Sequence, residues 1–487
     1  MRPGFSLDSI VPDRSSPVAL NQQLYQKLRG LIESRVLPHG AALPATRALA
    51  QDLRLGRNTV IAAYDQLALE GFLQLRRGTP PVVRELPVIA PPDPERASPA
   101  SRRLSRRGTV LAAQPFHHCE PGVTAFHPGL PDADEFPFST WSRLLTRRAK
   151  MARDDLFGTY FITGYPELRS AIARYLVASR GVVCRPDQVV VTNGAQSSFD
   201  LLARLLLDPG DGVWMEEPGY YGAASAFVAA GARLAPLHVD EAGWRLEPPA
   251  GAAPRAVFVT PSCHHPLGLT MSMGQRLDII RLADRWGAWI IEDDYDSEYR
   301  FQGQPIPALQ GVGQSGWMIF VGTFAKILFP AMRLGYMVVP DALLPPVKAA
   351  LSTTGQHAPL LTQAALADFI NEGHLTRHLR RMRRLYAQRR ERFISAFEAA
   401  LGDRLRLRRT DTGIQLVATF RRPTDDRRFA AAAIASGVNV SPFSLQFRHG
   451  GATPGLVLGF AATGARAQDR GLSRLAEIAT RLDSSYA

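Results

Sequence analysis

The stretch Phe320-Val-Gly-Thr-Phe-Ala-Lys326-Ile-Leu-Phe-Pro-Ala-Met-Arg333-Leu-Gly335 places a lysine between two short apolar runs. A lysine in apolar sequence usually extends its ammonium group to solvent or to an acidic partner. The alternative is an amine removed from water, whose pKa falls so that it can attack a carbonyl carbon. The stretch is compatible with both interpretations, so the groups that decide between them must lie elsewhere in the chain.

Three acidic residues follow an apolar run in Ile290-Ile-Glu-Asp-Asp-Tyr295. Carboxylates directly after a buried strand are costly unless a positive group lies beside them. A protonated pyridine nitrogen is such a group, and Tyr295 is placed to donate to a phenolate oxygen next to it. A magnesium site is the competing explanation, but no Gly-Lys-Ser/Thr phosphate loop accompanies these acids in the sequence.

Strand-like and helix-like runs alternate from Phe126 onward, which predicts an α/β domain with a mostly parallel sheet. Ligand sites in such sheets lie at the carboxyl ends of the strands. Thr192–Ser197 offers a helix N-terminus that suits a phosphate. Tyr220 either presents an aromatic face on which a heterocycle can stack or is an ordinary packed residue of a turn. The predicted strands are Val189–Thr192, Gly212–Met215, Ala256–Thr260, Ala288–Glu292, Met318–Val321 and Gly335–Val339.

Together, the acid, the aromatic ring, the phosphate cradle and the lysine resemble the fold-type I, aspartate-aminotransferase-like family, which uses pyridoxal 5′-phosphate (PLP). The resemblance implies that Lys326 holds PLP as the internal aldimine and that Asp293 pairs with the pyridine nitrogen. It also implies that Tyr295 contacts the cofactor's O3′ and that Tyr220 stacks on the ring. The phosphate-binding residues that it implies are Gly194, Ala195, Gln196, Thr323 and Arg333.

Three positions depart from that family's usual pattern. Ala325 stands where a serine is common before the lysine, and Val457 stands where aminotransferases commonly carry the arginine that binds a substrate carboxylate. His265, in Cys263-His-His-Pro-Leu-Gly268, is expected near O3′ and either bonds it or is an ordinary packed or exposed histidine. Without the arginine an amino-acid substrate loses a bidentate, charge-assisted pair, which weighs against a transaminase.

The N-terminal part of the chain has the pattern of a winged helix-turn-helix. Helical spacing in Leu20–Ser34 is followed by a short helix, Ala45–Leu53, with Thr46 as a possible N-cap. A third helix, Arg57–Glu70, comes after a Leu-Gly turn, and Gly71–Val83 has the pattern of two short strands around a basic turn. The runs LPATRALAQDL, LGRNTVIAAYDQLALEGFL and RRGT resemble the GntR-type winged helix. A three-helix protein-interaction module is the alternative.

Charge favours DNA binding by this domain, which we delimit as residues 18–84. The chain has a net charge of +13, and its first 110 residues hold 16 Lys and Arg against 9 Asp and Glu. Such a basic end suggests a module that binds a polyanion. Arg57, Asn58 and Thr59, at the start of the third helix, are placed to reach base edges in a major groove. Contacts to DNA phosphates are expected from Arg47, Arg76 and Arg77.

Residues 85–119 have the composition of a linker. Repeated prolines and serines, two Arg-Arg pairs and little apolar periodicity predict a flexible or semi-extended segment. His117 and His118 beside Cys119 lack a second pair of metal ligands, so we expect no metal site. The rest of the chain, 120–487, is the predicted PLP-binding domain.

Length and composition are those of a soluble protein with more than one domain. At 487 residues the chain is too long for a single core. No apolar run approaches the roughly 20 residues of a membrane span. The N-terminus lacks the apolar centre of a signal peptide, and the three cysteines lie far apart. We therefore expect a cytoplasmic protein without a membrane partner.

A GntR-type winged helix joined to a PLP-binding, aminotransferase-like domain resembles the MocR subfamily of bacterial transcription regulators. This resemblance implies a domain-swapped homodimer that binds double-stranded operator DNA. It also implies that an effector at the PLP site, which is an amine, an amino acid or PLP itself, alters DNA binding. The alternative is a PLP-dependent aminotransferase acting on an amino acid or amine. We expect a regulator rather than an enzyme, with slow residual transamination compatible with that role.

Overall fold

The chain divides into two compact units, Met1–Arg103 and Leu104–Ala487. The structure is a computed structural model. It describes residues 7–76, 78–85, 104–115, 125–151, 156–158, 160–248, 251–303, 306–313 and 316–483. Arg77 and the His117-His118-Cys119 run lie outside these described residues. Each unit has its own apolar core.

Three helices and a two-stranded ribbon form the first unit. They are α1 (Leu20–Glu33), α2 (Thr46–Asp52), α3 (Arg57–Leu69), β1 (Leu73–Gln74) and β2 (Val82–Val83), with the two strands antiparallel. Their apolar sides meet in a core that includes Leu24, Leu49, Val60 and Tyr64, each at most 1% exposed. This confirms the predicted winged helix-turn-helix. Thr46 is the first residue of α2 rather than its cap, because Ala45 occupies the N-cap position.

The predicted linker contains a helix, α4 (Arg106–Ala112), that the sequence analysis did not anticipate. Ser105 caps it, since its hydroxyl accepts the Gly108 N–H at 3.0 Å. The stretch holds no proline, and a serine cap satisfies one of the first N–H groups of a helix. The prediction of a flexible or semi-extended segment is therefore wrong for this part of the linker.

An eight-stranded sheet lies at the centre of the second unit. Its strands are β3 (Val189–Thr192), β4 (Gly212–Glu217), β5 (Arg233–Asp240), β6 (Gly243–Trp244), β7 (Ala256–Val259), β8 (Trp289–Asp294), β9 (Met318–Thr323) and β10 (Gly335–Val338). The order is β3-β10-β9-β8-β7-β4-β5-β6. Strands β5, β4, β7, β8 and β9 are parallel, whereas β10 is antiparallel to both of its neighbours. The prediction of a mostly parallel α/β sheet is confirmed.

Both faces of this sheet are buried, because alternate residues of a strand belong to different apolar clusters. Ile319 and Val321 contribute to one cluster and Phe320, between them, to another. Strands buried on both faces have continuous apolar sequence, which explains why β9 was recognisable. Among the described residues of this unit, the helices after α4 include α5 (Phe138–Met151), α6 (Pro166–Arg180), α7 (Ala195–Leu206), α8 (Tyr221–Ala229), α9 (Met273–Trp286), α10 (Leu309–Val312), α11 (Leu344–Thr354), α12 (Leu360–Asn371), α13 (His374–Leu401), α14 (Asp426–Ala435) and α15 (Ala465–Asp483).

A second, antiparallel sheet of four short strands completes this unit. Its strands are β11 (Leu405–Leu407), β12 (Gln415–Phe420), β13 (Ser441–Pro442) and β14 (Gly455–Gly459), in the order β11-β12-β14-β13. Gln415 pairs with Gly459 at one end of this sheet. Within the described ranges, no helix has the length and apolar character that a bilayer crossing requires.

Candidate functional site

The register of three strands brings the predicted phosphate-binding residues to one place. Gly335, at the start of β10, pairs with Thr192 at the end of β3 and with Thr323 at the end of β9. A Cβ atom on Gly335 would lie 2.8 Å from the backbone of Gly194, so this approach requires glycine. The predicted phosphate-binding residues therefore meet where β3 and β9 end and β10 begins. They come from the turn before α7, the end of β9 and Arg333.

The start of α7 supplies the backbone groups of a phosphate cradle. Gly194 caps the helix with φ of 92°, and a Cβ there would meet no atom within 4 Å. The first N–H groups of a helix lack partners within it and carry partial positive charge. Ala195 and Gln196 contribute such groups, while the side chain of Gln196 donates to the Gly222 carbonyl at 2.9 Å. Arg333 is exposed and adopts the left-handed region with φ of 47°.

Tyr220 is the residue directly before α8, and both Asp293 and Arg333 act on it electrostatically. Its ring meets the His265 ring edge to face, with centroids 5.2 Å apart. A Cβ atom on Gly222 would lie 2.5 Å from the Tyr220 ring, so glycine makes room for it. Burial and the Asp293 carboxylate raise the pKa of Tyr220 to about 12, and Arg333 opposes that rise. The ring is thus within electrostatic reach of both ends of the site.

The outer two of the three acids at the end of β8 have structural partners. Successive side chains of a strand point to opposite faces, so Glu292 and Asp294 share one face. Glu292 accepts the N–H groups of Leu309 and Gln310, at 2.7 and 2.8 Å, where α10 begins. Asp294 pairs with Arg180, whose Nε lies 2.8 Å from Oδ2. The cost of burying these two carboxylates is offset within the fold.

Asp293 points the other way and has no such partner. It is 4% exposed, and its Oδ1 is buried without a hydrogen bond from any described residue. Burial and the neighbouring acids Asp294, Glu216 and Asp296 raise its pKa well above the usual range. A buried carboxyl in this position fits a protonated ring nitrogen, which would supply the missing positive partner.

The sequence left two interpretations of Lys326 open. The structure favours the one in which the amine is removed from water. Its Nζ donates to the carbonyl of Gly129 at 2.9 Å. Burial lowers the pKa of Lys326, and the carboxylates of Asp296 and Asp293 oppose this shift. A Cβ atom on Gly129 would lie 2.7 Å from Nζ, so glycine is required at the position that meets the amine.

His265 and Tyr295 lie together just beyond the end of β8. The His265 ring is 5.9 Å from that of Tyr295, again edge to face. The hydroxyl of Tyr295 is 3.7 Å from Sγ of Cys263, in the same loop as His265. The structure therefore brings Lys326, Asp293, Tyr220, Tyr295 and His265 into one site.

Four residues of this site were not singled out from the sequence: Gln415, Gly129, Asp296 and His127. Gln415 Nε2 lies 3.3 Å from His265 Nδ1, and Gln415 Oε1 is 3.5 Å from where a Cβ on Gly129 would lie. Asp296 accepts the Ile414 N–H at 3.3 Å, and burial raises its pKa to about 7. The fourth residue is His127. Burial and the charge of Lys326 lower the pKa of His127, whereas its hydrogen bond to the Pro128 carbonyl raises it. Only the His-Pro-Gly run offered a signal in the sequence.

Val457, where the resemblance to aminotransferases leads one to expect the carboxylate-binding arginine, lies in apolar packing. Val457 is 1% exposed and pairs with Val417 across β12 and β14. It belongs to an apolar cluster with Leu267 and Phe443. Arg448 is exposed, and its Nη2 donates to the Ser225 hydroxyl at 3.4 Å.

The predicted DNA-contacting residues lie on the first unit's surface. Arg57 and Asn58 are exposed and Thr59 is half-buried, all in the first turn of α3. Arg47 on α2 and Arg76 after β1 are exposed as well. In the part of the chain that the structure describes, no three His, Cys, Asp or Glu side chains are grouped to hold a metal ion.

Comparison with known proteins gives two family matches. Residues 20–83 match the bacterial regulatory proteins of the gntR family, and residues 135–450 match the aminotransferases of class I and II. A probable rhizopine catabolism regulatory protein, MocR, from Rhizobium meliloti is 48% identical over 98% of this chain and 97% of its own. The pyridoxine biosynthesis transcriptional regulator PdxR of Corynebacterium glutamicum is 31% identical over 91% and 92%.

Solved structures agree on the fold of the second unit. A multiple-substrate aminotransferase from Thermococcus profundus superposes with a TM-score of 0.70 at 23% identity, covering 78% of this chain and 98% of its own. At that sequence identity the structural similarity supports a conclusion about the fold only.

Proposed function

The chain belongs to the MocR-type regulators of the GntR family, and from this we propose that a small ligand bound in its second unit controls how its first unit binds operator DNA. The second unit is an aminotransferase-like domain that binds PLP. One observation supports sensing most directly: the half-buried amine of Lys326 and the buried carboxyl of Asp293, whose Oδ1 has no hydrogen bond from a described residue, lie at the ends of the neighbouring strands β9 and β8. We propose that the domains span residues 18–84 and 120–487, with the linker at 85–119.

The site residues fit PLP, and each would have a separate task. Lys326 would hold the cofactor, Asp293 would pair with its ring nitrogen, and Tyr220 would cover its ring. Tyr295 and His265 would lie toward O3′. The phosphate would be bound by the N–H groups of Gly194, Ala195 and Gln196 and by Thr323 and Arg333. When bound, PLP supplies an aldehyde carbon that reacts reversibly with amines.

We propose that the chain works as a regulator and not as an enzyme with ordinary turnover. Val457 and its apolar neighbours leave no cation where an amino-acid substrate would need one. Slow residual transamination remains compatible with the retained lysine. Sustained turnover of an amino donor with a 2-oxo acid, at rates typical of aminotransferases, would contradict this proposal and favour the alternative enzyme.

The proposed setting is a domain-swapped homodimer that acts on double-stranded DNA in the cytoplasm. The 48%-identical relative is named for rhizopine catabolism, so a rhizopine is the first named compound to test as effector. The test uses the full chain and an operator obtained by in vitro selection from random DNA. Fluorescence anisotropy should give a different Kd for that operator after PLP or an effector is added. An unchanged Kd with every ligand would contradict ligand control.

Arg57→Ala is expected to weaken operator binding by ~1–3 kcal/mol, because a side chain at the start of α3 reaches base edges in the major groove. Binding to random DNA should change much less. The measurement is anisotropy at one fixed salt concentration, since phosphate contacts depend strongly on salt. Arg35→Ala removes an exposed charge at the end of α1 and serves as the control. Equal losses on operator and random DNA would mean that Arg57 contacts only phosphate.

Asp293→Asn is expected to weaken PLP binding by roughly 10- to 100-fold, because a hydrogen bond to a charged group is lost. The same change should stabilise the cofactor-free chain, since a buried carboxyl without a partner is costly. Asp294→Asn is the matched control, and it should destabilise the cofactor-free chain by weakening the pair with Arg180. Equilibrium titration with PLP and urea unfolding measure the two effects. Unchanged PLP affinity in Asp293→Asn would remove this residue from the cofactor site.

A further inference from the structure

A cavity of about 700 Å³ in the second unit is separate from the site at Lys326. Its lining includes Arg180, Ser262, Ser297, Arg300 and Arg383, and we call it the Arg180 cavity. In the described chain, none of the residues assigned to PLP belongs to that lining. Arg180 pairs with Asp294, whose side chain points to the face of β8 opposite to that of Asp293. Cavities of this size hold small molecules.

The lining of the Arg180 cavity is basic. Among the described residues it contains five arginines and a single acidic residue, Glu298. Arg180 has a carboxylate partner in Asp294. Three of the other arginines donate to uncharged oxygens: Arg174 to the Asn371 side chain at 2.8 Å, Arg300 to the Thr270 hydroxyl at 2.7 Å and Arg383 to the Glu298 backbone carbonyl at 2.9 Å. Their positive charge attracts an anion into the cavity.

The carboxyl of Glu298 offsets little of this positive charge. Its Oε1 accepts the Tyr175 hydroxyl at 2.7 Å. Burial and the neighbouring Asp294 raise the pKa of Glu298, whereas Tyr175 and Arg180 lower it. With a raised pKa, this carboxyl takes up a proton more readily than an exposed glutamate does. A bound anion therefore meets at most one opposing charge in the lining.

Two serine hydroxyls in the lining have hydrogen-bonding capacity left. Oγ of Ser297 is buried and has no hydrogen bond with any described residue. Oγ of Ser262 accepts Nη2 of Arg180 at 2.6 Å, which leaves its own proton for another acceptor. Ser262 is 5% exposed and Arg180 6%. A buried hydroxyl without a partner is costly, so an acceptor oxygen of a ligand would stabilise this part of the cavity.

Arg300 lies close to these groups. Thr270 connects it to Ser262, because the Thr270 hydroxyl accepts from Arg300 at 2.7 Å and donates to the Ser262 carbonyl at 3.3 Å. Burial lowers the pKa of Arg300, and the charge of Arg180 lowers it further, although Cys263 and Asp411 oppose the shift. Two cations that repel each other are both stabilised by an anion beside them.

This set of donors suits a phosphate group better than a carboxylate. A phosphate ester has three terminal oxygens and nearly two negative charges, and guanidinium groups bind it in a bidentate manner. A carboxylate has only two oxygens and one charge. The cavity is larger than a phosphate group alone, and Ala171, Ile370 and Leu379 add apolar surface to its lining. The phosphate is therefore expected on a molecule with an organic part.

DNA is the other source of phosphate groups for a regulator. A duplex carries its phosphates on the outside of a wide, rigid rod, whereas Oγ of Ser297 and the Arg180 side chain are buried. Only a small molecule can reach both of these groups.

We propose that the Arg180 cavity binds a small phosphate ester, whose phosphate group is held by Arg300 and by the hydroxyls of Ser262 and Ser297. The site lies on the other side of β8 from Asp293, and it goes beyond the proposed control by a ligand at Lys326. The two sites can therefore be tested independently.

The experiment titrates the PLP-loaded full chain, after removal of unbound PLP, with phenyl phosphate. Loading with PLP keeps the phosphate cradle at α7 occupied. Inorganic phosphate, benzoate and phenol are the comparison probes, and calorimetry is done above the second pKa of a phosphate ester, which is about 6. Phenyl phosphate is expected to bind roughly tenfold more tightly than benzoate or phenol. It should also bind more tightly than inorganic phosphate, because its ring packs on the apolar lining.

Two variants locate the bound phosphate group. Arg300→Leu should weaken phenyl phosphate binding by roughly 10- to 100-fold, because a charge-assisted hydrogen bond is lost. Ser297→Ala should weaken it by roughly tenfold, yet leave urea unfolding of the ligand-free chain unchanged, since Oγ has no partner within the described fold. Arg384→Leu is the matched control, because Arg384 is exposed on α13 and lies outside the lining. It should change neither measurement.

Three outcomes overturn the proposal. Phenyl phosphate that binds no more tightly than phenol would show that the cavity does not select a phosphate group. Unchanged phenyl phosphate affinity in both Arg300→Leu and Ser297→Ala would place the bound phosphate elsewhere, and a loss in Arg333→Leu would then assign it to the cradle at α7. Weaker operator binding in both cavity variants, without any binding of phenyl phosphate, would mean that these residues contact the DNA backbone instead.

Discussion

Lys326→Ala is expected to abolish covalent attachment of PLP. In the unmodified chain, borohydride reduction after PLP loading should fix the cofactor to the Lys326 amine, and mass spectrometry should find the added mass on that peptide. The amine is suited to this reaction because burial lowers its pKa and the Gly129 carbonyl holds it in place. In the variant, no peptide should carry the cofactor. The expected loss is complete rather than partial, because no other side chain at the site is an amine.

Lys348→Ala is the matched control, since Lys348 is exposed on α11. It should keep the cofactor mass on Lys326. Operator binding provides a second measurement for Lys326→Ala. The variant should still bind DNA through its first unit but should no longer respond to PLP. Cofactor mass on another lysine of the unmodified chain would contradict the assignment of Lys326.

The sequence predicted the centre of the site because its residues follow long, apolar strands. Asp293 lies in the last two residues of β8 and Lys326 lies three residues after the end of β9. The apolar sequence of these strands marks them as buried on both faces. Parallel strands place their carboxyl ends at one edge, so residues far apart in sequence were expected to meet there. The roles of these residues in holding PLP remain predictions that the experiments above test.

The sequence could not assign partners that depend on long-range packing. Glu292, Asp293 and Asp294 look equivalent in sequence, yet the start of α10 holds the first and Arg180 the third, whereas Oδ1 of Asp293 has no hydrogen bond from a described residue. Arg180 is at the end of a helix that no motif connects to β8. Gln415 lies in a short strand of the small sheet, and short strands carry too few residues for their alternation to be distinctive.

A local cap explains why the helix α4 in the linker was not predicted. Composition indicated a flexible segment because residues 85–119 contain repeated prolines and serines and little apolar periodicity. Ser105 changes this locally, since its hydroxyl caps the first turn of α4. A composition argument averages over a segment, whereas a helix begins wherever a cap and a proline-free stretch coincide.

Arg180→Leu is expected to destabilise the second unit by ~3–5 kcal/mol, because it leaves a buried carboxylate without its cation. Arg180 is 6% exposed and Asp294 8%. Besides that pair, Arg180 donates to the Ser262 hydroxyl at 2.6 Å and to the Ile306 carbonyl at 3.1 Å, so three elements lose a common partner. Tryptophan fluorescence during urea unfolding reports on this unit alone, because every tryptophan of the chain lies in it. These residues are Trp141, Trp214, Trp244, Trp286, Trp289 and Trp317.

An exposed arginine pair in the same unit gives the control for this loss. Arg185 lies 2.6 Å from Asp341, but both side chains are more than half exposed, so Arg185→Leu should cost less than about 1 kcal/mol. The carboxylate stranded by Arg180→Leu can avoid its burial cost only by taking up a proton, so the loss should shrink at acidic pH. The Arg185 variant should show no comparable dependence. Equal, small losses in both variants would mean that water replaces the guanidinium of Arg180, and that the end of β8 is less dry than its burial indicates.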